Sequence, residues 1–585
     1  MGRRARISQA RPYVVGTVAV ARWWIYNDGM LCYINGDRTG RRLRILDLHG
    51  SSHDELVVRV HVLVSKAIPG SIFDCGDCGD CDNCGYVFKV VHHAAGITSC
   101  VFKPGSGPAW LLVFNAAKGV LFEPFRFEPG CKLFVRNNAD FLYFGTHSVA
   151  SSSQRNHRNH RWALWGFSIR NNTWSPKRIV LRDLRGDEVG SNVCFEIIGN
   201  HFYAVSTEAP TRTISKGHEL YYTCFRFRVE DLESPKIQSM PWKRCWRKSP
   251  SGDDEDKQWA TLKLERDEAS EKLYIVEGRK VRRTDKSGTY RASYMREVVF
   301  YEENHDGHGA EEDDHAFSGT DESDDDLDLS HNDVVLSNKT SYPRRRGFSP
   351  QHHSLHERRY TDSPKEKDRP RKHVPLDYHD ASSNTFIKLI NADDVPGRVH
   401  PRMFLHVESG SLEPSPASME SSPARTNRLD QPEKIAQPCF FPPQTSEWSS
   451  EYSDLNQTLN ATLNPPNPST YSSGITAAGD ERSIVYSMDA RVHDLTDLGP
   501  TRPVIYISFD PAAKLAGMQP LRTVSSERAG GHSPLSSETM PEEQGRDGGM
   551  SQDGHRRVRP GVTWVWRESA QYRRLEGQQH LLVEE

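Results

Sequence analysis

The sequence predicts an all-β protein: a β-propeller-like ring of short antiparallel strands interrupted by long disordered insertions. Three observations point there. Between residues 12 and 301 the apolar residues fall in short runs set apart by Gly, Asn, Asp and Pro, the punctuation of strands and tight turns. The runs come in pairs that recur roughly every 40 to 60 residues, the spacing of three- or four-stranded sheets around a propeller axis. More than a dozen such runs are present, and a single sandwich needs only about seven.

Residues 1–11 are a basic, disordered N-terminus, and the first blades occupy 12–301. YVVGTVAVARWWIY, MLCYI, LRILDL and LVVRVHVLV follow one another as strand candidates, with NDG and NGDRTG as hairpin turns because Asn, Asp and Gly tolerate positive φ. GITSCVF and WLLVFN form the next clear pair, with Gly105-Ser106-Gly107 in the turn. KLFVRN, FLYFGTH, WALWGFSI, VCFEII, HFYAVS, YYTCFRFRV, TLKLER and LYIVEG continue the pattern. Trp23 with Trp24, Trp162 with Trp165, and Trp564 with Trp566 are expected to pack the core rather than to stack on a ligand.

After Val299 the character changes. Glu302 to Asp328 holds 13 acidic residues and no Lys or Arg, a run that repels itself. The segment 302–383 therefore forms an acidic, then basic, insertion, 384–408 a β island (NTFIKLI, RMFLHVE), and 409–481 a Ser/Pro/Asn-rich insertion. Late strands follow at 482–510 (RSIVYSM, RPVIYISF), then a disordered 511–560, a final strand at 561–568 and a polar tail at 569–585. Isolated strands of this length are unstable alone, so the islands are expected to complete the propeller and to close the ring onto its first blade.

The totals exclude several classes. No run approaches eighteen apolar residues, so no membrane span is expected, and no secretory leader is visible; the expected location is cytoplasmic, nuclear or both. The formal charge of -3 conceals acidic and basic blocks that cancel, and the basic stretches 343–347 and 364–373 are expected to be solvated charge, so nucleic acid is not an expected partner. No phosphate-binding glycine loop, zinc-protease helix or nucleophile elbow is present, and no catalytic residue is assigned. The sequons starting at Asn171, Asn338, Asn456 and Asn460 carry no weight without a secretion signal. Ser318, Thr320 and Ser323 sit in acidic surroundings that suit an acid-directed kinase.

One motif invites a metal. DCGDCGDCDNCG spaces Cys75, Cys78, Cys81 and Cys84 as C-x₂-C-x₂-C-x₂-C. A ferredoxin motif has three residues before its fourth Cys and then Pro, and a structural zinc site uses two knuckles a dozen or more residues apart. A decorated loop is therefore the expectation, with no cofactor, and zinc on the four cysteines is the alternative. His92 and His93 would be the nearest additional ligands, although one of them is expected to face the core; His157 and His160 are assigned to a polar loop. The other seven cysteines are scattered singly in apolar runs, as small buried hydrophobes.

IYNDGMLCYI with RLRILDLHG, ITSCVF with WLLVFN, WALWGFSIRNNTW, ELYYTCFRF and TWVWRES together resemble the β-rich region downstream of the F-box in filamentous-fungal F-box proteins. The resemblance implies a module that presents protein substrates to an SCF ubiquitin ligase. Only eleven residues precede Pro12, so the F-box is expected to be missing here, and a Skp-type adaptor would bind only if an F-box exists upstream. The expected function is a non-enzymatic protein-interaction module. A metal- or redox-responsive protein using the cysteine loop, and a propeller glycosidase with paired carboxylates, stand as alternatives.

Overall fold

The computed structural model describes residues 12–300 apart from short stretches (38–39, 51–52, 70–85, 106, 130, 148–160, 209–219, 242–243, 248–259, 268–269 and 283–288). Beyond 300 it describes 333–336, 373–380, 385–391, 403–412, 438–440, 474–489, 502–513, 515, 519–520, 563–574 and 579–580. The chain forms a β-propeller with six antiparallel blades, as the strand punctuation predicts.

The first blade orders Trp23–Asn27, Met30–Asp37, Gly40–Asp47 and Asp54–Arg59 from the axis outward, and Val565–Ser569 is added at its outer edge. The second blade is Val87–Ala94, Ile97–Lys103, Ala109–Asn115 and Phe125–Phe127; the third is Lys132–Asn137, Phe141–His147, Trp162–Ser168 and Arg178–Leu181, with Asp333–Leu336 lying parallel on its outer edge. Val193–Ile198, His201–Ser206, Thr223–Arg228 and Gln238–Ser239 make the fourth blade, and Thr261–Arg266, Leu273–Arg282 and Thr289–Glu297 the fifth. The sixth runs Gly474–Gly479, Ser483–Asp489 and Arg502–Ser508, and its outermost strand is the N-terminal Val14–Ala21. In chain order a further sheet, His373–Asp380, Thr385–Asn391, Met403–Leu412 and Pro438–Phe440, lies between the fifth and sixth blades, its first strand against Gly474–Gly479.

Both chain ends thus close the ring, as expected of the late strands. Val14–Ala21 pairs along its length with Arg502–Ser508, and Val565–Ser569 pairs with Asp54–Arg59. The strands Asp333–Leu336, His373–Asp380 and Gly474–Gly479 fall within intervals that the sequence assigned to insertions.

The core is layered between blades, because a sheet buried on both faces needs a neighbour on each side. Trp24, Tyr33, Val504 and Tyr506 fill the layer between the sixth and first blades; Ile34, Val58, Phe88 and Phe114 fill the next. Leu111, Phe144 and Phe167 join the second blade to the third, Phe134, Trp162, Phe195 and Phe202 the third to the fourth, and Cys194, Cys224, Leu262 and Ile275 the fourth to the fifth. Phe134 and Phe195 stack at 3.9 Å between ring centres. Each such buried side chain contributes about 1.5–3 kcal/mol of hydrophobic stabilisation before entropy is subtracted.

Two expectations about local structure are corrected. LVVRVHVLV is not one strand: Asp54–Arg59 is extended, and Val60–Ala67 turns into an α-helix. The buried residues Val60, Leu63, Val64 and Ala67 recur at helical spacing, so packing one stripe against the core overrides the β preference of Val. The NGDRTG turn also lies later than expected, since Gly36 and Asp37 remain in the ladder and pair with Arg41 and Gly40. NDG behaves as predicted, with Asp28 at φ 45° and Gly29 at φ 79° between two paired strands.

Candidate interaction face at the channel mouth

All innermost strands run in the same direction, so the hairpin turns that follow them collect on one face of the ring. The third strand of each blade returns to that face, and the loop after it lies outside the turns. This turn face is the best-described functional surface.

Its inner rim is stitched between neighbouring blades from the sixth through the first to the fourth. Asn27 Nδ2 donates to the His93 carbonyl at 3.1 Å, Asn137 Nδ2 to the Ala94 carbonyl at 2.9 Å, and Asn138 Nδ2 to the Gly199 carbonyl at 3.1 Å. Asp480 ties the sixth blade to the first: one carboxylate oxygen accepts from Gly29 N at 2.9 Å and Tyr26 OH at 2.6 Å, and the other accepts from the backbones of Arg482 and Ser483. His49 Nε2 lies 3.3 Å from Asp480. Burial pushes this carboxyl up, but the His49 hydrogen bond and charge together with the Tyr26 hydroxyl outweigh it and hold Asp480 below its ordinary value.

Deeper in the channel, Arg136 Nε meets Glu196 Oε1 at 3.0 Å across the third and fourth blades. Burial raises the Glu196 carboxyl despite that partner, and a nearby Asp28 adds to the effect. His92 and His93 belong to the innermost strand of the second blade; one of the pair is expected to face the core, and it is His93 that is buried, its Nδ1 at 2.9 Å from Thr98 Oγ1. Burial lowers His93 to about 4.

The outer rim is formed by the loops 116–124 and 169–177. Asn172 Oδ1 accepts from Glu123 N at 2.9 Å, and Trp174 Nε1 donates to the Glu123 carbonyl at 3.0 Å, so the two loops brace each other. Around this brace stand Lys118, Asn171, Arg170 and Val120, the last 42% exposed.

Five of the six paired tryptophans pack in the layers between blades, as expected; Trp566 departs from the expectation, lying half-buried on the outer edge of the first blade under Arg42 and Arg59. Trp23 Nε1 donates to the Val90 carbonyl on the second blade, and Trp24 Nε1 to Ser487 Oγ on the sixth. Trp162 and Trp165 are three apart and therefore point to opposite faces, into the layers on either side of the third blade. Cys32, Cys100, Cys194, Cys224 and Cys245 are buried free thiols, and burial pushes Cys194 and Cys245 up to about 12.

Cys75, Cys78, Cys81 and Cys84 lie outside the described residues, as do His157, His160, Ser318, Thr320, Ser323 and the basic stretches 343–347 and, up to residue 372, 364–373. The chain leaves the cysteine-rich connection at Tyr86, the start of an innermost strand, and so on the face away from the turns. Among the described residues no group of three or more His, Cys, Asp or Glu is arranged to hold a metal ion, and no helix is long and apolar enough to cross a membrane.

Sequence reasoning missed the buried carboxylate networks. Glu277 accepts from Tyr222 OH at 2.6 Å and from Arg247 and Arg279; Glu55 accepts from Tyr33 OH at 2.6 Å and from Arg44. A Tyr, a Glu and an Arg far apart in the chain gave no local signal.

No family model and no curated protein matches the chain. Among solved structures, it is similar to the WD40 domain of SCAP from fission yeast (6% identity, 86% of this chain and 99% of that one, TM-score 0.31). It is also similar to a xylan β-1,4-xylosidase from Bacillus halodurans (11%, 49% of this chain, TM-score 0.22) and to prolyl oligopeptidase B from Galerina marginata (8%, 83% of this chain and 48% of that one, TM-score 0.27). The chain spans 54% of the length of the xylosidase.

Proposed function

We propose that this chain is a non-enzymatic protein-interaction module, and that it serves as the substrate-recognition part of an F-box-type ubiquitin-ligase receptor. The observation that carries the first half is the use made of its carboxylates. Asp480, Glu55, Glu277 and Glu196 are each engaged by structural donors from other strands or blades, which commits them to holding the ring together. What the turn face offers to solvent is a braced loop rim carrying Lys118, Val120, Arg170 and Asn171, a mixed polar and apolar surface suited to a protein partner. The receptor half rests on the sequence resemblance, and a Skp-type adaptor would engage an F-box encoded upstream.

The test is site-directed photo-crosslinking in the native cell. A photoreactive residue at Lys118 or Asn171 is expected to trap one discrete protein whose ubiquitylation falls when the gene is deleted. The same residue at Lys103, at the opposite end of its blade, is expected to trap none. Capture without any change in ubiquitylation would keep the module and remove the receptor. Hydrolysis of xylo-oligosaccharides by the wild-type chain, lost in Glu196→Gln, would overturn both.

A further inference from the structure

We propose that the channel wall between the second and third blades, just below the inner rim, is a binding site for an uncharged hydroxyl-bearing ligand, a small polyol or sugar, held by His92, Ser99 and Asn137. The proposal goes beyond the interaction-module reading and does not depend on it, because the site lies inside the ring and not on the outer loops.

The three residues belong to one interblade layer. Directly opposed residues of an antiparallel pair stand on the same face of the sheet. His92 pairs with Ser99 and Ser99 with Val113, and Val113 lies in the core between the second and third blades. From the facing sheet, Asn137 pairs with Leu142 and follows Val135 by two positions, and both belong to that same core. Ser99 is fully buried and Asn137 is 6% exposed, whereas His92, on the innermost strand, is half-buried. A ligand therefore reaches the site from the channel, past His92.

The side chains around them, Val91, Ile97, Val113 and Leu142, supply no hydrogen bonds. Among the described residues no protein group bonds His92 Nε2, Ser99 Oγ or Asn137 Oδ1, although all three atoms are shut off from solvent. Buried polar atoms in folded proteins are nearly always hydrogen-bonded, so three in one layer point to a guest that bonds them.

The chemistry of that guest follows from the atoms. Asn137 Nδ2 donates to the carbonyls of Ala94 and Asn138, both at 2.9 Å, which fixes the amide orientation and leaves Oδ1 as an acceptor. The guest must donate to it, and an ionised carboxylate cannot. A cation could, but it would meet Arg136; burial, with the Arg136 charge behind it, holds His92 well below its ordinary value and so uncharged. A neutral imidazole and the Ser99 hydroxyl can each donate or accept, so one hydroxyl group suits all three atoms.

The backbone is shaped to aim His92 at this layer. Phe88 and Val90 face the first blade, and unbroken alternation would send position 92 the same way. The register shift between Val90 and His92 turns His92 toward the third blade, while His93 takes the other side and meets Thr98. Bulges that re-aim a single side chain recur beside functional sites.

The experiment titrates the full chain with D-glucose, D-mannitol and glycerol, and with D-glucuronate as the charged counterpart, and follows the His92 imidazole resonances, assigned with His92→Gln. At least one of the neutral probes should shift them saturably with a dissociation constant on the order of millimolar, about what a ligand of that size supports. Glucuronate should bind at least about tenfold more weakly. Ser99→Ala should cost several-fold to about tenfold by removing one hydrogen bond. Ser99→Thr keeps the hydroxyl but adds a methyl group in the site, and should exclude the probe; thermal melts check that both variants keep the ring. Saturable shifts from none of the neutral probes, or shifts that both variants leave unchanged, would overturn the proposal and leave a bridging water as the guest. Equal binding of glucuronate would overturn the uncharged class of ligand.

Discussion

At the scale of single residues, the buried ion networks decide the energetics. Burial pushes the Glu277 carboxyl up, but the hydrogen bonds and charges of Arg247 and Arg279 outweigh it and leave it below its ordinary value. Removing one partner of such a network strands the others without water. Glu277→Ala is therefore expected to cost about 3–5 kcal/mol, against about 1.5–3 for Tyr222→Phe, read from urea unfolding. Equal costs would contradict the assignment of Glu277 as the hub. His93 adds a pH dependence of definite sign. Its folded value of about 4 lies below the ordinary 6.5, so the unfolded chain binds the extra proton first. The stability it contributes is complete above about pH 6.5 and is lost as pH falls toward 4, at up to about 1.4 kcal/mol per unit. His93→Gln should flatten that part of the profile, and an unchanged slope would exclude His93 as its source. Neither network was legible in the sequence, because proximity between Tyr222, Arg247 and Glu277 is created only by the pairing of blades. That one of His92 and His93 faces the core was legible, but not which: alternation from Phe88 and Val90 marks position 92, and a register shift between Val90 and His92 brings His93 to that side instead.

At the scale of elements, turns were easier to foresee than the ends of strands. NDG demands two positive φ values, and only a few residue types meet that demand, so the hairpin was fixed by chemistry within three residues. Gly29 is also constrained from outside: a Cβ there would come within 2.3 Å of the His49 ring. Gly29→Ala is expected to destabilise by more than about 1 kcal/mol and to disturb the His49–Asp480 latch, which thermal melts and the His49 imidazole resonances would report. The helix Val60–Ala67 was hidden because its β-branched residues favour strands, and only the 60, 63, 64, 67 spacing, visible once the core is known, reveals it. The cysteine-rich connection begins and ends away from the turn face. Deleting 74–84 is accordingly expected to shift the melting temperature by less than about 4 °C, the shift that roughly 1 kcal/mol produces in a domain of moderate size. A collapse of the melt would show that the loop is structural.

At the scale of the whole molecule, the sequence foretold the ring and its closure, but not which strand closes where. Late islands such as RPVIYISF and GVTWVWRE carried strand patterns without partners, and partnership is a property of the closed ring. Arg502–Ser508 takes the N-terminal strand, while Val565–Ser569 crosses to the first blade. The resulting ring gathers its turns and outer loops on one side, and this is the side we propose binds a protein. The decisive measurement is hydrogen exchange of the full chain, alone and with the protein trapped through Lys118. Partner binding is expected to slow exchange at the amides of 116–123 and 169–177 and to leave the opposite ends of the second and third blades, at 101–105 and 131–133, unchanged. Protection confined to those opposite ends, or no protection on either side, would contradict it.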